Sequence, residues 1–339
     1  MASPGRGGRL PLHAPSRIHE GLIGARPLVG TPYLADARLR QEYAAEIAPR
    51  TGAALAKILA ELALAAPRHR RPRVLDLGAG TGAAGDAVRS YFAQQGDNIE
   101  MVAMDNVQAP GVVMADLAGA DVPAGLTGRF DLIVAAHLLT ELFVGLPREA
   151  RIAARARKVV AWCERLLEDG RENPGVLIIV EPALRDTSRE LLAVRDRVVA
   201  TGLQVVAPCF WAGPCPALIR ERDWCHDAVP AGQNRRTQPR VDFSYLVLRT
   251  QGEPATDPTL FRIVSDPLLE KGRLKFYGCG PVGRQPLIRL DRHRNQRNAA
   301  FDDLQRGDVA RISRTTFARD GLRIVAETTV TSNEVPIPR

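Results

Sequence analysis

The spacing of apolar residues changes twice along the chain, and each change predicts a different kind of structure. Between Pro32 and Ala66, apolar residues recur every three to four positions, which predicts helices with one buried face. From Val74 onward, short apolar runs alternate with longer helical patterns. After Pro254, short β-like runs are separated by Gly, Asn and Asp. We therefore expect a helical segment, an α/β region and a β-rich end.

Strand and helix alternate strictly in the middle of the chain. The predicted helices are Gly82–Gln94, Pro147–Glu168 and Thr187–Thr201. The predicted strands are Val74–Leu77, Ile99–Met104, Phe130–Ala135, Val176–Val180, Leu203–Ala207 and Phe243–Leu248. The polar stretch Asp227–Arg240 predicts a loop before the last strand. Such alternation is typical of a parallel, doubly wound α/β sheet.

The same pattern divides the chain into parts. We expect a flexible tail over residues 1–30 and a helical segment over 31–70. The α/β domain is predicted over 71–252, with an insertion over 208–240, and a small β-rich, barrel-like appendage over 253–339. No apolar run approaches the roughly 18 residues that a membrane helix needs, so no membrane partner is expected.

A glycine-rich loop follows the first predicted strand, in the sequence Val74-Leu75-Asp76-Leu77-Gly78-Ala79-Gly80-Thr81-Gly82. Glycines at alternate positions make a tight turn, and their missing side chains let the backbone approach a ligand closely. The spacing is not that of a dinucleotide fingerprint, and the Gly-Lys-Ser/Thr of a phosphate-binding P-loop is missing from this loop. The loop therefore favours another nucleoside-type cofactor.

Acidic residues near this loop suit such a cofactor. Asp76 is predicted to meet the cationic amino group of a methionine moiety. Asp105 ends the second strand, where an acid binds ribose hydroxyls, and Asp116 is a candidate for the adenine amino group. With these acids, the loop residues Gly78, Ala79, Gly80 and Gly82 resemble the Rossmann-like S-adenosylmethionine-dependent methyltransferases. The alternative is a tight strand–helix turn that binds nothing.

The sequence after the fourth strand, Ala135–Leu142, gives less chemistry. It has neither the Asn/Asp-Pro-Pro-aromatic motif of amino-group methylases nor a Pro-Cys nucleophile. His137 and Glu141 are candidates for substrate contact or acid–base work. We favour the alternative, in which His137 lines a pocket and Glu141 supports the next helix. Glu181 follows the fifth strand and faces the same sheet edge.

Positive charge is concentrated near the C-terminal end. The chain carries a net charge of +8, and residues 271–323 alone contain 13 lysines and arginines against 5 aspartates. Such a segment suits a phosphate-rich partner, although an arginine-rich solvated surface is the alternative. The residues predicted to contact RNA are Arg284, Arg289, Arg292, Arg294, Arg297, Arg311 and Arg314.

Four cysteines are candidates for a metal centre: Cys209, Cys215, Cys225 and Cys279. Without a secretory signal, five cysteines argue against a disulfide framework. Four thiolates are the usual complement for tetrahedral zinc or a [4Fe–4S] cluster. Their irregular spacing favours the cluster, His226 keeps a mixed zinc site open, and four unrelated buried cysteines are the third possibility. Cys163, on a predicted helix, is expected to be a core residue.

The cysteine region resembles a known family. Its signature comprises Ala207-Pro208-Cys209, Gly213-Pro214-Cys215-Pro216, Asp223-Trp224-Cys225-His226 and Phe243–Arg249. These segments are similar to the methyltransferase-like assembly factors of the mitochondrial small ribosomal subunit and their bacterial relatives. The glycine loop, Leu138–Leu142 and Val180-Glu181-Pro182 also resemble that family. The resemblance as a whole extends from about Tyr33 to Val330. The loop departs from it in reading Gly-Thr-Gly instead of Gly-Pro-Gly, and residues 237–242 lack an acidic run.

The resemblance implies a Rossmann-like methyltransferase sheet that binds S-adenosylmethionine, and a [4Fe–4S] cluster on Cys209, Cys215, Cys225 and Cys279. It also implies association with small-subunit ribosomal RNA, and leaves methyl transfer open. Three functions follow: a ribosomal RNA methyltransferase, an inactive RNA-binding assembly factor, or a small-molecule methyltransferase, which the basic end disfavours. We expect a monomer in the cytoplasm. The mitochondrial matrix is the alternative, although prolines interrupt any amphipathic presequence within residues 1–17.

Overall fold

The computed structural model describes residues 15–64, 71–170, 174–230, 240–252 and 256–332. Two β-sheets are present in these residues, and helices cover both faces of the first one. The expectations for residues 1–14 and for the end of the insertion, 231–239, lie outside the described residues. No helix in the described ranges is long and apolar enough to cross a membrane.

The N-terminal segment folds into α1 (Arg17–Leu22), α2 (Ala37–Glu46) and α3 (Ala48–Leu62). The side chain of Ser16 accepts a hydrogen bond from the His19 N–H and so caps α1. Ile18 is fully buried in a small core against α2. A flexible tail over 1–30 is therefore wrong for residues 15–30. The six-residue α1 is too short to show a helical period in the sequence.

The first sheet contains eight strands. They are β1 (Arg73–Leu77), β2 (Glu100–Asp105), β3 (Val112–Met114), β4 (Leu132–Ala136), β5 (Val176–Pro182), β6 (Gln204–Ala207), β7 (Asp227–Pro230) and β8 (Arg240–Arg249). Their order is β3-β2-β1-β4-β5-β8-β6, and β7 also pairs with β8. Strands β1 to β5 are parallel, whereas β8 runs antiparallel to its neighbours. The predicted doubly wound α/β sheet is confirmed, with an antiparallel edge.

Two parts of this sheet were not expected. Strand β7 lies inside the stretch 227–240 that was predicted to be a loop, because its polar residues gave no apolar alternation. Strand β3 has only three residues, and none of them is fully buried, so it carries no hydrophobic signal. Both strands pair with a longer neighbour, and that pairing rather than their own sequence makes them strands.

Helices pack on both faces of the first sheet. They are α4 (Ala83–Gln94), α5 (Arg148–Leu166) and α6 (Arg185–Val199), in addition to α3. Successive residues of β4 point to opposite faces, so Ile133 packs with α5 and α6, and Val134 packs with α3 and α4. Burial on both faces explains why the central strands are almost entirely apolar.

The second sheet also has eight strands. They are β9 (Leu260–Ile263), β10 (Leu268–Glu270), β11 (Arg273–Gly280), β12 (Gly283–Leu290), β13 (Val309–Ser313), β14 (Thr316–Ala318), β15 (Gly321–Ile324) and β16 (Thr329–Ser332). The order is β14-β15-β12-β11-β9-β13-β16, with β10 on β11, so in the described residues the path does not close into a barrel. Phe276 and Phe301 pack edge to face at 5.1 Å in its core.

Candidate functional site

The glycine loop forms a tight turn between β1 and α4. Gly78, Gly80 and Gly82 have φ angles of 75°, 54° and 87°, in the left-handed region that favours glycine. The backbone N–H of Gly78 donates to the Met104 carbonyl at 2.9 Å, which fixes the loop against β2. A Cβ at Gly80 would lie 3.2 Å from the Leu34 side chain. The loop is thus held close to the N-terminal segment, with little room for a larger residue.

Two acids at the strand ends have different roles. Asp105 accepts hydrogen bonds from the Gly80 N–H at 2.8 Å and the Val107 N–H at 2.9 Å, so it holds the loop in shape. Asp76 is 1% exposed, and one of its oxygens accepts from the Gly85 N–H at 3.0 Å. Its other oxygen is buried without a partner among the described residues, and burial raises the pKa of Asp76 to about 7.

A cavity of about 190 Å³, here called the loop cavity, lies between this loop, the end of β2 and residues 30–34. The predicted cofactor residues that line it are Gly78, Gly80, Asp105 and Asp116. The other three predicted residues, Asp76, Ala79 and Gly82, do not line it. A carboxylate oxygen of Asp116 accepts from the Ala118 N–H at 2.9 Å. The structure therefore brings four of the seven predicted residues to one cavity.

A second cavity of about 210 Å³ adjoins the loop cavity at the ends of β4 and β5. The wall between them is formed by four residues from the N-terminal segment and the end of β4: Tyr33, Tyr43, His137 and Glu141. Arg26, Arg50 and Arg240 also line this second cavity. Sequence analysis did not identify the two tyrosines as site residues, because aromatic residues in a helical segment are equally typical of a core.

His137 is held in an unusual conformation at this wall. Its φ angle is 58°, and its backbone N–H donates to the Val180 carbonyl at 2.7 Å. Its Nε2 lies 3.0 Å from the Thr51 hydroxyl, which itself donates to the Ile47 carbonyl. The Thr51 oxygen must then accept from Nε2–H, which leaves Nδ1 as a buried acceptor without a partner in the described residues. Burial lowers the pKa of His137 to about 4, so the ring is neutral at pH 7.

Two glutamates lie beside His137. The Glu141 carboxylate accepts a hydrogen bond from the Gly30 N–H, which ties the N-terminal segment to the sheet, and burial raises the pKa of Glu141 to about 7. Glu181 is 1% exposed and accepts from the Thr140 N–H at 3.2 Å. Burial raises the pKa of Glu181 to about 8, although the nearby Arg155 charge opposes this shift.

The four predicted metal-ligating thiols lie near one another, where the first sheet meets the second. Burial raises the pKa of Cys279 well above its ordinary value, and the charges on Cys209, Cys225 and Cys215 raise it further. Burial and the charge on Cys209 raise the pKa of Cys225 to about 12. Within the described ranges, no group of three or more His, Cys, Asp and Glu side chains is arranged to hold a metal ion. Cys163 is fully buried in the first core.

Buried arginines surround these thiols. Arg195 on α6 is 1% exposed and donates to the Gly213 and Trp211 carbonyls of the cysteine-bearing insertion. Its positive charge lowers the pKa of Cys209, against the raising effect of burial. In the described structure, the buried Nε atoms of Arg195, Arg284 and Arg306 have no hydrogen-bond partner. This surrounding charge favours a negatively charged group between the two sheets.

Helix α3 joins the thiol region to the rest of the molecule. Arg262 on β9 is 3% exposed and donates to the Glu61 carboxylate of α3 at 3.0 Å and to the Pro208 carbonyl at 3.2 Å. Arg262 is also the register partner of Cys279 on β11. One turn earlier, the Lys57 ammonium lies 2.5 Å from Asp227 on β7. We call the four thiols, Arg195, Arg262, Arg284 and Arg306 the thiol joint.

The predicted RNA-contacting arginines do not form one patch. Arg289 is 2% exposed, donates to the Asn298 carbonyl at 3.0 Å, and lies over the Phe301 ring. Its assignment to an RNA surface is therefore wrong, because its strand position turns it into the second core. Arg284 pairs with Asp223 and lies over Tyr277 at the thiol joint.

The other five arginines lie at the surface. Arg311 pairs with Asp257, and Arg294 pairs with Asp302 at 3.0 Å while remaining mostly exposed. Arg292, Arg297 and Arg314 are exposed and form no ion pair within the described structure. A basic surface thus remains, smaller than the sequence indicated.

A protein-family model described as mitochondrial small ribosomal subunit Rsm22 matches residues 39–293, about three quarters of the chain. The chain belongs to the Rsm22 family. The Rsm22 match includes the glycine loop, the first sheet, all four clustered cysteines and strands β9 to β12 of the second sheet. The family resemblance inferred from the cysteine region is therefore confirmed.

Solved structures give weaker similarities. A Listeria monocytogenes protein assigned to class I S-adenosylmethionine-dependent methyltransferases is 13% identical, with a TM-score of 0.36, over 59% of this chain and 59% of its own length. The N-methyltransferase NodS from Bradyrhizobium japonicum, in complex with S-adenosyl-L-homocysteine, is 15% identical, with a TM-score of 0.31. The match covers 52% of this chain and 77% of NodS. These scores are too low to support an argument, so the fold assignment rests on the strand order. A search of curated proteins finds no match.

Proposed function

We propose that this Rsm22-family chain binds S-adenosylmethionine, carries a structural [4Fe–4S] cluster, and acts with small-subunit ribosomal RNA in ribosome assembly. The observation that carries the proposal is the thiol joint. Three cysteines of the insertion and one from β11 lie close enough for the charge on one thiolate to raise the pKa of another. A small-molecule methyltransferase has no need of such a joint or of a basic second sheet.

The loop cavity has the chemistry that S-adenosylmethionine requires. The unpartnered oxygen of Asp76 is a buried acceptor behind the loop, which suits a cationic group near Gly78 and Gly80. Asp105 and Asp116 line the same cavity and offer acceptors for ribose hydroxyls and the adenine amino group. When bound, the cofactor would supply an activated methyl group at this sheet edge.

Calorimetric titration with S-adenosylmethionine tests this part. Gly80→Arg would place its side chain against Leu34 and fill the cavity, so binding should be lost. Gly96→Arg is the matched control, since Gly96 also has a positive φ of 83° but nothing lies within 4 Å of its Cβ position. Equal affinity in the wild type and both variants would refute a cofactor site at this loop.

The residue types at the thiol joint, four thiols among buried arginines, are those that an iron–sulfur cluster on Cys209, Cys215, Cys225 and Cys279 would need. A [4Fe–4S] centre on four thiolates is an anion, and the buried arginine Nε atoms without partners are suited to it. Because its ligands come from the insertion and from β11, such a centre would stabilise the joint between the sheets. Zinc is the alternative occupant.

Anaerobic purification separates these two occupants. A cluster gives a brown protein that absorbs at about 400 nm and contains roughly four irons per chain. If the protein contains one zinc per chain and no iron, the occupant of the thiol joint is zinc and not the cluster. Neither metal, in a folded protein, would leave four reduced cysteines and contradict the proposed joint.

Ribosome association is supported by the family description and by the exposed arginines. The Rsm22 description names the mitochondrial small ribosomal subunit, which favours the mitochondrial matrix over the cytoplasm as the place of action. Charge reversal at Arg292, Arg294 and Arg297 should weaken co-sedimentation with small-subunit particles, because backbone contacts to RNA depend on charge. Unchanged co-sedimentation would exclude this surface.

Methyl transfer to ribosomal RNA is the second candidate, favoured by the second cavity. This cavity shares the wall residues His137 and Glu141 with the loop cavity. With a pKa of about 7, Glu141 can accept a proton near neutral pH, whereas the neutral His137 is a weak base. Mass-spectrometric mapping of methyl marks on ribosomal RNA, with and without the gene, tests it. If every methyl mark persists without the gene, methyl transfer is refuted and only the assembly role remains.

A further inference from the structure

The hairpin of β14 and β15 presents an isolated aromatic ring. Phe317 is 83% exposed, the most exposed large apolar side chain in the described part of the chain. One exposed apolar side chain needs no explanation by itself. Phe317 differs from other exposed apolar residues because its hairpin is paired with the second sheet and arginines lie near it in the sequence.

The hairpin is fixed to the second sheet. Phe317 pairs in register with Leu322 of β15, which is 4% exposed and belongs to the core. Strand β15 also pairs with β12. Gly321 has a φ of 137°, and a Cβ there would lie 2.5 Å from the Pro286 carbonyl oxygen, so the turn is pressed against β12. Phe317 is therefore exposed on a strand whose hairpin is paired with the second sheet.

Arginines flank Phe317 on both sides along the chain. Arg314 precedes β14 at a φ of 58°, and its carbonyl accepts a hydrogen bond from the Thr328 hydroxyl at 2.9 Å, which holds this disfavoured conformation. Arg319 lies at the hairpin turn. Both are exposed, and neither forms an ion pair within the described residues. Arg323 pairs with Asp320, the single acid among residues 311–323, which also contain four arginines.

We propose that residues 314–323, here called the stacking hairpin, bind an unpaired segment of RNA. Phe317 stacks on one base, and Arg314 and Arg319 bind the flanking phosphates. An aromatic ring accepts any base, because every base has a π face, and arginines nearby supply the affinity for the backbone. The neighbours Thr316 and Ala318 are small, so the apolar area is a single ring rather than a protein-sized patch. This inference rests on the proposed association with ribosomal RNA.

Fluorescence anisotropy with a labelled single-stranded oligouridylate tests the stacking step. Phe317→Ala should weaken binding by between about fivefold and a hundredfold, as loss of one stacked base does. Phe317→Trp should keep the affinity, and Phe317→Leu should lose it, because leucine is apolar but cannot stack. Leu269→Ala is the control: Leu269 is 80% exposed on β10, and its loss should change nothing.

Salt dependence separates stacking from phosphate contact. Arg319→Gln should reduce the slope of log affinity against log salt concentration by about 0.7, the value for one phosphate contact on a single strand. Phe317→Ala should leave that slope unchanged. Because both side chains are exposed, thermal unfolding of every variant should match the wild type, so a folding defect cannot imitate either result.

Three results would overturn the stacking hairpin. The wild type binding no oligouridylate is one, and a Phe317→Ala variant with wild-type RNA affinity is another. The third is loss of co-sedimentation with small-subunit particles by Phe317→Ala while its affinity for free RNA is unchanged, which would assign the ring to a protein partner. Wild-type co-sedimentation and cofactor calorimetry test the proposed function separately, so it can stand if the hairpin fails.

Discussion

The loop cavity and the thiol joint are built in different ways. The loop cavity is lined by the glycine loop, the ends of β2 and β4, residues 116–118 and residues 30–34, so all of its lining comes from the first sheet region and the N-terminal segment. The thiol joint brings Cys209 of the first sheet region together with Cys279 of the second. The loop cavity needs only the first sheet and the N-terminal segment, whereas the thiol joint exists only when the two sheets are docked. Damage to the docking contact should therefore affect the thiol joint first.

The two sites also differ in electrostatic character. Behind the loop cavity, a buried oxygen of Asp76 lacks a donor, and the pKa of Asp76 is raised to about 7. At the thiol joint, buried guanidinium nitrogens lack an acceptor, and Arg195 lowers the pKa of Cys209 against the effect of burial. One site is suited to a cationic ligand and the other to an anionic one.

The largest effect is expected from Cys279→Ser. Cys279 is the one proposed cluster ligand that comes from the second sheet, so its removal should reduce the proposed iron content from roughly four per chain to background and lower the unfolding temperature. Iron analysis and calorimetry measure both. Cofactor affinity should change little, because the loop cavity lies elsewhere.

Cys163→Ala is the matched control for that substitution. Its thiol is buried in the first core, so the variant should lose some stability but retain its iron. Full iron content in Cys279→Ser would show that the joint does not depend on the second sheet.

Next in size is Glu61→Gln, which breaks the ion pair with Arg262 across the docking contact. An unpaired buried charge costs about 3–5 kcal/mol, so the free energy of unfolding should fall by about 3 kcal/mol in urea titrations. The exposed pair of Glu270 and Arg273 provides the control, where Glu270→Gln should cost less than about 1 kcal/mol. Similar costs for both variants would contradict a docking role for Glu61.

A smaller effect concerns the pH dependence of stability at the buried Glu181. The pKa of Glu181 is raised to about 8 from 4.5, so between those two pH values the folded state keeps a proton that the unfolded chain has lost. The free energy of unfolding should therefore fall as pH rises towards the folded pKa, and Glu181 alone should account for about 1 kcal/mol of the fall between pH 7 and 8.5. Glu181→Gln should remove that share of the slope.

Urea titrations at pH 7 and pH 8.5, on both proteins, measure this difference. Histidines contribute little, because the pKa of His137 is lowered to about 4 and unfolded histidines are mostly neutral above pH 7. Parallel pH dependences in the two proteins would mean that Glu181 is ionised in the folded state.

The smallest effects are expected on the basic surface. Arg292→Gln and Arg297→Gln should each lower the salt slope of RNA binding by at most about 0.7 and leave stability unchanged. Arg289→Gln should instead lower stability and leave the salt slope unchanged, because Arg289 lies over the Phe301 ring in the core and donates to the Asn298 carbonyl. Titrations in salt and in urea distinguish the two classes. A stable Arg289→Gln variant with weakened RNA binding would restore Arg289 to the surface.

Sequence patterns identified the parts with a strong local signal. The period of two or of three to four residues located nearly all strands and helices of the first sheet, because each buries a continuous apolar face. It missed α1 and β3, which are too short, and β7, which is a strand only through its pairing with β8. The positions of Asp76 and Asp105 followed from their strand ends, but their hydrogen bonds to Gly85 and Gly80 did not.

By itself, the sequence determined the fold class, the glycine loop and the family signature around the cysteines, since these depend on residue type and short spacing. Only the tertiary structure decided that Tyr33 and Tyr43 form a cavity wall, that Arg289 is buried, and that Phe317 is exposed. The reason is physical: an arginine or an aromatic residue on a strand fits a core as well as a surface. Whether such a side chain faces the core or the solvent is decided by the packing of the sheet against segments that are distant in the sequence.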